Sequence, residues 1–277
     1  AAAVIGSVFW ERVLQVLIPE TEMLRQHLTY LQREQLIQER QRVPEWGMEY
    51  AFISLLLREV AYESLLSPQR VTYHLRVAEA LESLLGTEGE RPQRYGMVAY
   101  HYRQAGKLEK ALDFALKAAE QARRVYANAE ALEQYTAALA LLEELEAAAA
   151  DEAARHALQR QRFQVLDQRR ETFYLLGDIE TGRNDARALL ELAQRLPDEP
   201  ALMIDALLEQ PGVGSIQERE ELERGMELAQ QALDLSRQLG DAHREMRALM
   251  ALTNLYNLRS DPAWRWTGQQ ALELARR

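Results

Sequence analysis

Between residues 50 and 82 the spacing of apolar residues changes its period. Tyr50, Phe52 and Leu55 alternate on one side of an extended segment, and from Leu56 onward apolar side chains recur every three or four positions. A period of two belongs to a strand and one near 3.6 to a helix, so the pattern predicts a strand handing over to a helix. Upstream, Val4, Ile5, Val8, Phe9, Val13 and Leu17 make a wide apolar face, which predicts one helix over residues 1–17 that stops before Pro19. A second helix is predicted from near Glu20, carrying Met23, Leu24, His27, Leu28 and Leu31. Residues 36–40 read as a short strand, 44–47 as a turn and 49–53 as the returning strand.

Downstream the pattern is helical throughout. Ser67-Pro68 reads as a capped helix start, and the helix carries Val71, Leu75, Ala78, Leu81 and Leu85 before Gly86. Residues 86–93 read as a linker. A short helix over 97–105 turns at Gly106 into a longer one with the stripe Leu108, Ala111, Leu112, Ala115, Ala119 and Ala122, supported by an Asp113–Lys117 pair. Further helices are predicted over about 128–146, about 152–176 up to Gly177-Asp178, and on to Leu196. The chain restarts at Pro197-Asp198-Glu199-Pro200 with Asp198 as cap, and loops at 210–214. Ser215 and Glu218 form a capping-box pattern for a helix ending at Gly240; Asp241 caps the next, and Asp261-Pro262 starts the last.

Composition agrees with a mainly α protein. Strong helix formers dominate, and 13 Gly and 8 Pro are few for 277 residues. The formal charge of −10 argues against general attraction to nucleic acid or anionic membrane. With no cysteine, disulfides, thiolate metal sites and cysteine nucleophiles are excluded. The apolar opening AAAVIGSVFW lacks the basic residues of a signal peptide and meets Glu11 and Arg12 directly; a cytoplasmic setting is expected, with no membrane span. A start without Met and an end in ALELARR suggest an excerpt of a longer polypeptide, truncated within its helical part.

The order helix, helix, hairpin, helix is that of a winged-helix-like unit, expected over residues 1–85. Over 94–277 small residues recur where helices must approach: Ala99 with Tyr102, then Ala111, Ala115 and Ala118, then Ala131, Tyr135 and Ala138. Ala232-Leu233-Asp234-Leu235 and Ala271-Leu272-Glu273-Leu274-Ala275 repeat the pattern. These resemble degenerate tetratricopeptide-type repeats, which stack into an α-superhelix. YAFISLLLREVAYESLL, HLRVAEALE and AYHYRQAGKLEKALDFALKAAEQA together resemble the winged-helix and repeat region that follows the nucleotide-binding domain of STAND-type signalling ATPases, including some linked to class III adenylate cyclases. Members of that group often carry His where Ser54 stands. The resemblance implies a non-catalytic regulatory or sensor segment of a larger signal-transducing NTPase. No GxxxxGK[ST] loop occurs, so ATP is expected only for a domain upstream and no cofactor for this segment. Two other readings stand beside it: a DNA-binding winged-helix regulator and a stand-alone assembly scaffold.

No catalytic constellation stands out. His27, His74, His101, His156 and His243 are dispersed without helical i,i+3 or i,i+4 pairing, so no metal site is expected. Gly212-Val213-Gly214 lacks a third glycine, and Glu218, Glu220, Glu221 and Glu223 read as a solvated helix start. Charges on the second predicted helix, Glu22, Arg25, Arg33 and Glu34, cancel, so nucleic acid is not expected as a partner. Tyr100, Arg103, Arg247, Asn254 and Asn257 follow the spacing of groove-facing helix positions, where Asn and Arg could hold a protein, a peptide or a small effector. Trp264 and Trp266 cannot both face one core. The helix over 56–66 is expected to couple the two parts, belonging to one core and leading into the helix that docks on the other.

Overall fold

The computed structural model describes residues 1–85, 92–210 and 219–276. The chain forms two compact units, Ala1–Leu145 and Glu146–Arg277. The first begins α1 (Ala2–Ile5), β1 (Val8–Trp10), α2 (Glu11–Leu17), α3 (Thr21–Arg33), β2 (Ile37–Val43) and β3 (Gly47–Phe52). It continues with α4 (Leu55–Glu63), α5 (Ser67–Ser83), α6 (Pro92–Gln104), α7 (Leu108–Arg124) and α8 (Asn128–Ala148), whose last residues enter the second unit.

The single helix expected over 1–17 is instead a helix, a strand and a helix. Gly6 sits at φ 155°, where a Cβ would come within 3.2 Å of the Val8 carbonyl oxygen, and the helix stops. Val8, Phe9 and Trp10 then pair antiparallel with Ala51, Tyr50 and Glu49, so the expected hairpin becomes a three-stranded sheet in the order β1-β3-β2. Two adjacent apolar residues satisfy a helical stripe as well as a strand, so the period alone does not separate them. Phe9 is fully buried and stacks on Tyr50 at 5.6 Å, which places the sheet's core under its central strand.

The expectation that residues 56–66 belong to one core is also corrected. None of α4 is buried, and Leu55, Leu56 and Val60 face solvent, Val60 being 61% exposed. Polar contacts hold α4 instead: Arg58 Nε donates to the Ala3 carbonyl at 3.0 Å. Helix α5 starts at Ser67, one residue after its cap position Leu66, whose N–H donates to Gln69 Oε1 at 3.0 Å; Ser67 itself caps nothing. It buries His74, Val77, Ala78, Ala80 and Leu81, while Val71 is exposed. Near the sheet, Arg94 of α6 pairs with Glu45 at 3.1 Å and lies over the Trp46 ring.

From α6 onward the small-residue pattern reads directly into packing. Ala99, Tyr102, Ala111, Ala115, Ala118, Ala131, Tyr135 and Ala138 are all buried, and Asp113 and Lys117 pair at 2.8 Å. The second unit contains α9 (Glu152–Leu175), α10 (Ile179–Gln194), α11 (Pro200–Leu208), α12 (Arg219–Leu239), α13 (Ala242–Leu258) and α14 (Trp264–Ala275). Ile204, Ala229, Ala232, Leu233, Leu249, Leu252, Leu255 and Ala271 belong to its core cluster. Gly182 of α10 is forced by contact, since a Cβ there would lie 2.3 Å from Tyr174 Cε1.

One turn recurs. Gln35, Gly106, Tyr126, Gly177, Gly240 and Ser260 all have positive φ just past a helix. The next residue's N–H returns to a carbonyl five positions back: Leu36 to Leu31, Lys107 to Tyr102, Ala127 to Ala122, Asp178 to Phe173, Asp241 to Ser236 and Asp261 to Tyr256. This closes the orphan carbonyls of each helix end. Asp178 and Asp241 then cap the following helix through Thr181 N and Arg244 N, at 3.2 and 3.0 Å. Two expected starts shift: α11 has Glu199 at its cap position rather than Asp198, and α14 begins at Trp264, with Asp261 accepting the Ala263 N–H. The loop over 210–214 beyond Gln210, the Ser215–Glu218 capping box and most of the 86–93 linker lie outside the described residues.

Candidate functional site

In the first unit, α6 and α8 enclose an open cavity of about 300 Å³. Gln93, Gly96, Met97 and Tyr100 of α6 form one wall, and Glu130, Glu133 and Gln134 of α8 the other, over a floor of His101 and Ile5. The helical period explains the walls: 93, 96, 97 and 100 share one face, as do 130, 133 and 134. Gly96 permits the closeness, because a Cβ there would approach Gln134 Nε2 to 3.1 Å.

The floor contains a polar chain that linear spacing could not reveal. His74 Nδ1 lies 2.9 Å from His101 Nδ1, across 27 residues of sequence, and the Tyr62 hydroxyl lies 3.0 Å from His74 Nε2. Both rings are 1% exposed. Burial, then the Arg58 guanidinium, lowers His74 to about 4; burial, then His74, lowers His101 to about 3 against an opposing hydrogen bond to the Ile5 backbone. Both rings are therefore neutral at pH 7, each with one donor and one acceptor nitrogen. One imidazole therefore donates to the other across the Nδ1–Nδ1 contact, while the second nitrogen of His74 meets the Tyr62 hydroxyl. The chain links α4, α5 and α6. Among the described residues no group of three or more metal-ligating side chains occurs.

Of the five residues singled out from sequence, Tyr100 lines this cavity and is 48% exposed, its ring packed edge-on against both imidazoles. Arg103 lies on the same helix pair, bound to Glu144 of α8 at 2.6 Å. The other three are in the second unit. Arg247 is engaged within the chain, by Asp205 at 2.5 Å and Glu209 at 2.9 Å, so its guanidinium is held between α11 and α13. Asn254 lines a separate cleft of about 290 Å³ with Met246, Met250, Thr253 and Leu272. Asn257 is exposed and does not line it. Sequence reasoning missed Glu130, Glu133 and the histidine pair; the i,i+3 spacing of the two glutamates was the available signal. Trp264 and Trp266 are 39% and 59% exposed, so neither belongs to the core.

No helix among the described residues is long and apolar enough to cross a membrane. No family model matches the chain, and no curated protein matches it. Solved structures do. The apo form of RapI aligns with a TM-score of 0.53 at 11% identity, over 95% of this chain and 73% of its own. BtubC (BKLC) from P. vanneervenii aligns with a TM-score of 0.39 at 17% identity, over 79% and 85%. A signal transduction ATPase with numerous domains, with a tetratricopeptide repeat sensor, from Pyrococcus horikoshii aligns with a TM-score of 0.40 at 14% identity, over 99% and 43%. At such identities the likeness to RapI is one of fold, and the chain is similar to helical-repeat proteins of the tetratricopeptide-like kind.

Proposed function

We propose that this chain is a non-catalytic protein-interaction module whose partner segment lies in the groove between α6 and α8. The observation that carries the reading is the cavity itself: a half-exposed aromatic and several polar side chains, converging on a rigid, hydrogen-bonded floor. Apolar wall, convergent polar groups and fixed scaffold are the ingredients of a recognition site. A displayed random peptide library tests it. Binders should be enriched on the wild type and lost on Tyr100→Ala, whose fold is checked by circular dichroism; enrichment indifferent to Tyr100 and to the other wall residues would refute the groove as the site.

The finer proposal is that the module is the sensor segment of a STAND-type NTPase, with residues 1–85 as its winged-helix-like part. Its support is the resemblance carried by residues 50–82 and 99–122, together with the order helix, strand, helix, helix, hairpin ahead of the repeats. Sequencing the reading frame upstream of Ala1 tests it: a phosphate loop there is expected, and a reading frame without one overturns it.

A further inference from the structure

Glu130 and Glu133 face the α6–α8 cavity with no cation among its lining residues. Neither makes an ion pair among the described residues, whereas Glu144 holds Arg103, Glu45 holds Arg94, and Glu82 holds Lys110. The helix macrodipole accounts for Glu130, in the first turn of α8, but its effect fades by the sixth residue, Glu133. Above the buried histidine pair stands the half-exposed Tyr100 ring, whose face attracts cations. The histidines themselves, neutral at pH 7, do not cancel the negative field. Gln93 and Gln134 add amide oxygens that can accept from N–H donors.

We propose that this cavity takes a cationic side chain, a lysine ammonium or an arginine guanidinium, from the segment of the partner protein that lies along α6 and α8. The proposal rests on the groove reading above and specifies its chemistry. The cation would sit against Tyr100 while Glu130 and Glu133 accept its N–H groups, with the apolar stem along Met97. Two partly solvated carboxylate contacts and one cation–π contact are together worth about a tenfold change in affinity or more.

The test uses the whole chain and the same displayed peptide library. Groove-dependent binders should be enriched in Lys or Arg at one fixed position. Replacing that residue by norleucine should weaken binding about tenfold, and Glu130→Gln/Glu133→Gln should weaken it by less, because the Tyr100 contact remains, and should leave the norleucine peptide's binding unchanged. Glu130→Lys/Glu133→Lys should shift the enriched residue to Asp or Glu. Binders that depend on Tyr100 but carry no basic consensus, or are unaffected by the Gln variant, overturn this inference while leaving the groove reading intact. Binders independent of Tyr100 and both glutamates overturn both. Circular dichroism and an unchanged unfolding midpoint for the Gln variant, whose side chains are solvent-facing, separate lost recognition from lost fold.

Discussion

The buried His74–His101 pair makes the first unit sensitive to acid in a way that can be calculated. An unfolded histidine titrates near 6.5, whereas the folded pair is lowered to about 4 and about 3. The unfolded chain therefore binds more protons below neutrality, so stability is complete above pH 7 and declines as pH falls through 6.5 toward 3. At pH 5 the unfolded imidazoles are almost fully protonated and the folded ones almost neutral, which costs about 2 kcal/mol per ring and about 4 kcal/mol for the pair. One proton taken up by the pair can be shared across the Nδ1–Nδ1 contact, so the sum is an upper value. The groups facing the pair are Arg58 and Tyr62 from α4, Tyr100 beside it on α6, and Glu130 and Glu133 across the cavity. Equilibrium urea unfolding between pH 8 and pH 5 measures the effect. In a Trp264→Phe/Trp266→Phe background, fluorescence comes only from Trp10 and Trp46, both in the first unit. His74→Leu/His101→Leu removes the titration along with both partners of the central bond; it also takes away the Tyr62 hydroxyl's partner, so each protein is compared with itself across the pH range. The variant should lose about 2–4 kcal/mol less than the parent between pH 8 and pH 5. Parallel pH profiles would refute both the buried pair and its neutral state.

Other expectations follow from particular contacts. Gly182→Ala places a methyl group 2.3 Å from the Tyr174 ring and should destabilise the second unit by about 1–3 kcal/mol, read from the unfolding midpoint. Arg170 is 5% exposed and bridges Asp167 and Glu209, the latter already raised by burial, so Arg170→Met should cost about 3–5 kcal/mol in the same assay. Arg247→Met leaves Asp205 with Arg244 and Glu209 with Arg170, and about 1 kcal/mol or less is expected. Val60→Asp, on the exposed face of α4, should change stability by no more than about 0.5 kcal/mol.

What could be read from the sequence was whatever depends on near neighbours. The stripe from Ala111 to Ala122, the cap at Asp241 and the turns at Gly106, Gly177 and Gly240 are set by side chains within one or two helical turns of each other. The structure places each where the spacing indicates. Strand β1 was illegible because its partner lies some forty residues away and Val8-Phe9 fits either period. The same is true of His74 and His101, whose shared hydrogen bond is invisible to any helical spacing. Of the candidate site, Tyr100 was legible from its position on a groove-facing stripe. Arg247 was legible as a position but not as a partner, since its carboxylates come from α11.

The recurring positive-φ turns have a kinetic consequence. Each is closed by hydrogen bonds spanning five residues, so a helical hairpin such as α6 with α7 can assemble before any distant part of the chain arrives. Units built from such local closures have low contact order and a small entropic barrier to folding. The β1–β3 pairing, which must bring Val8 to Ala51, is the long loop that remains. In refolding, protection of the α6–α7 amides should therefore precede that of β1, with the sheet setting the pace of the first unit.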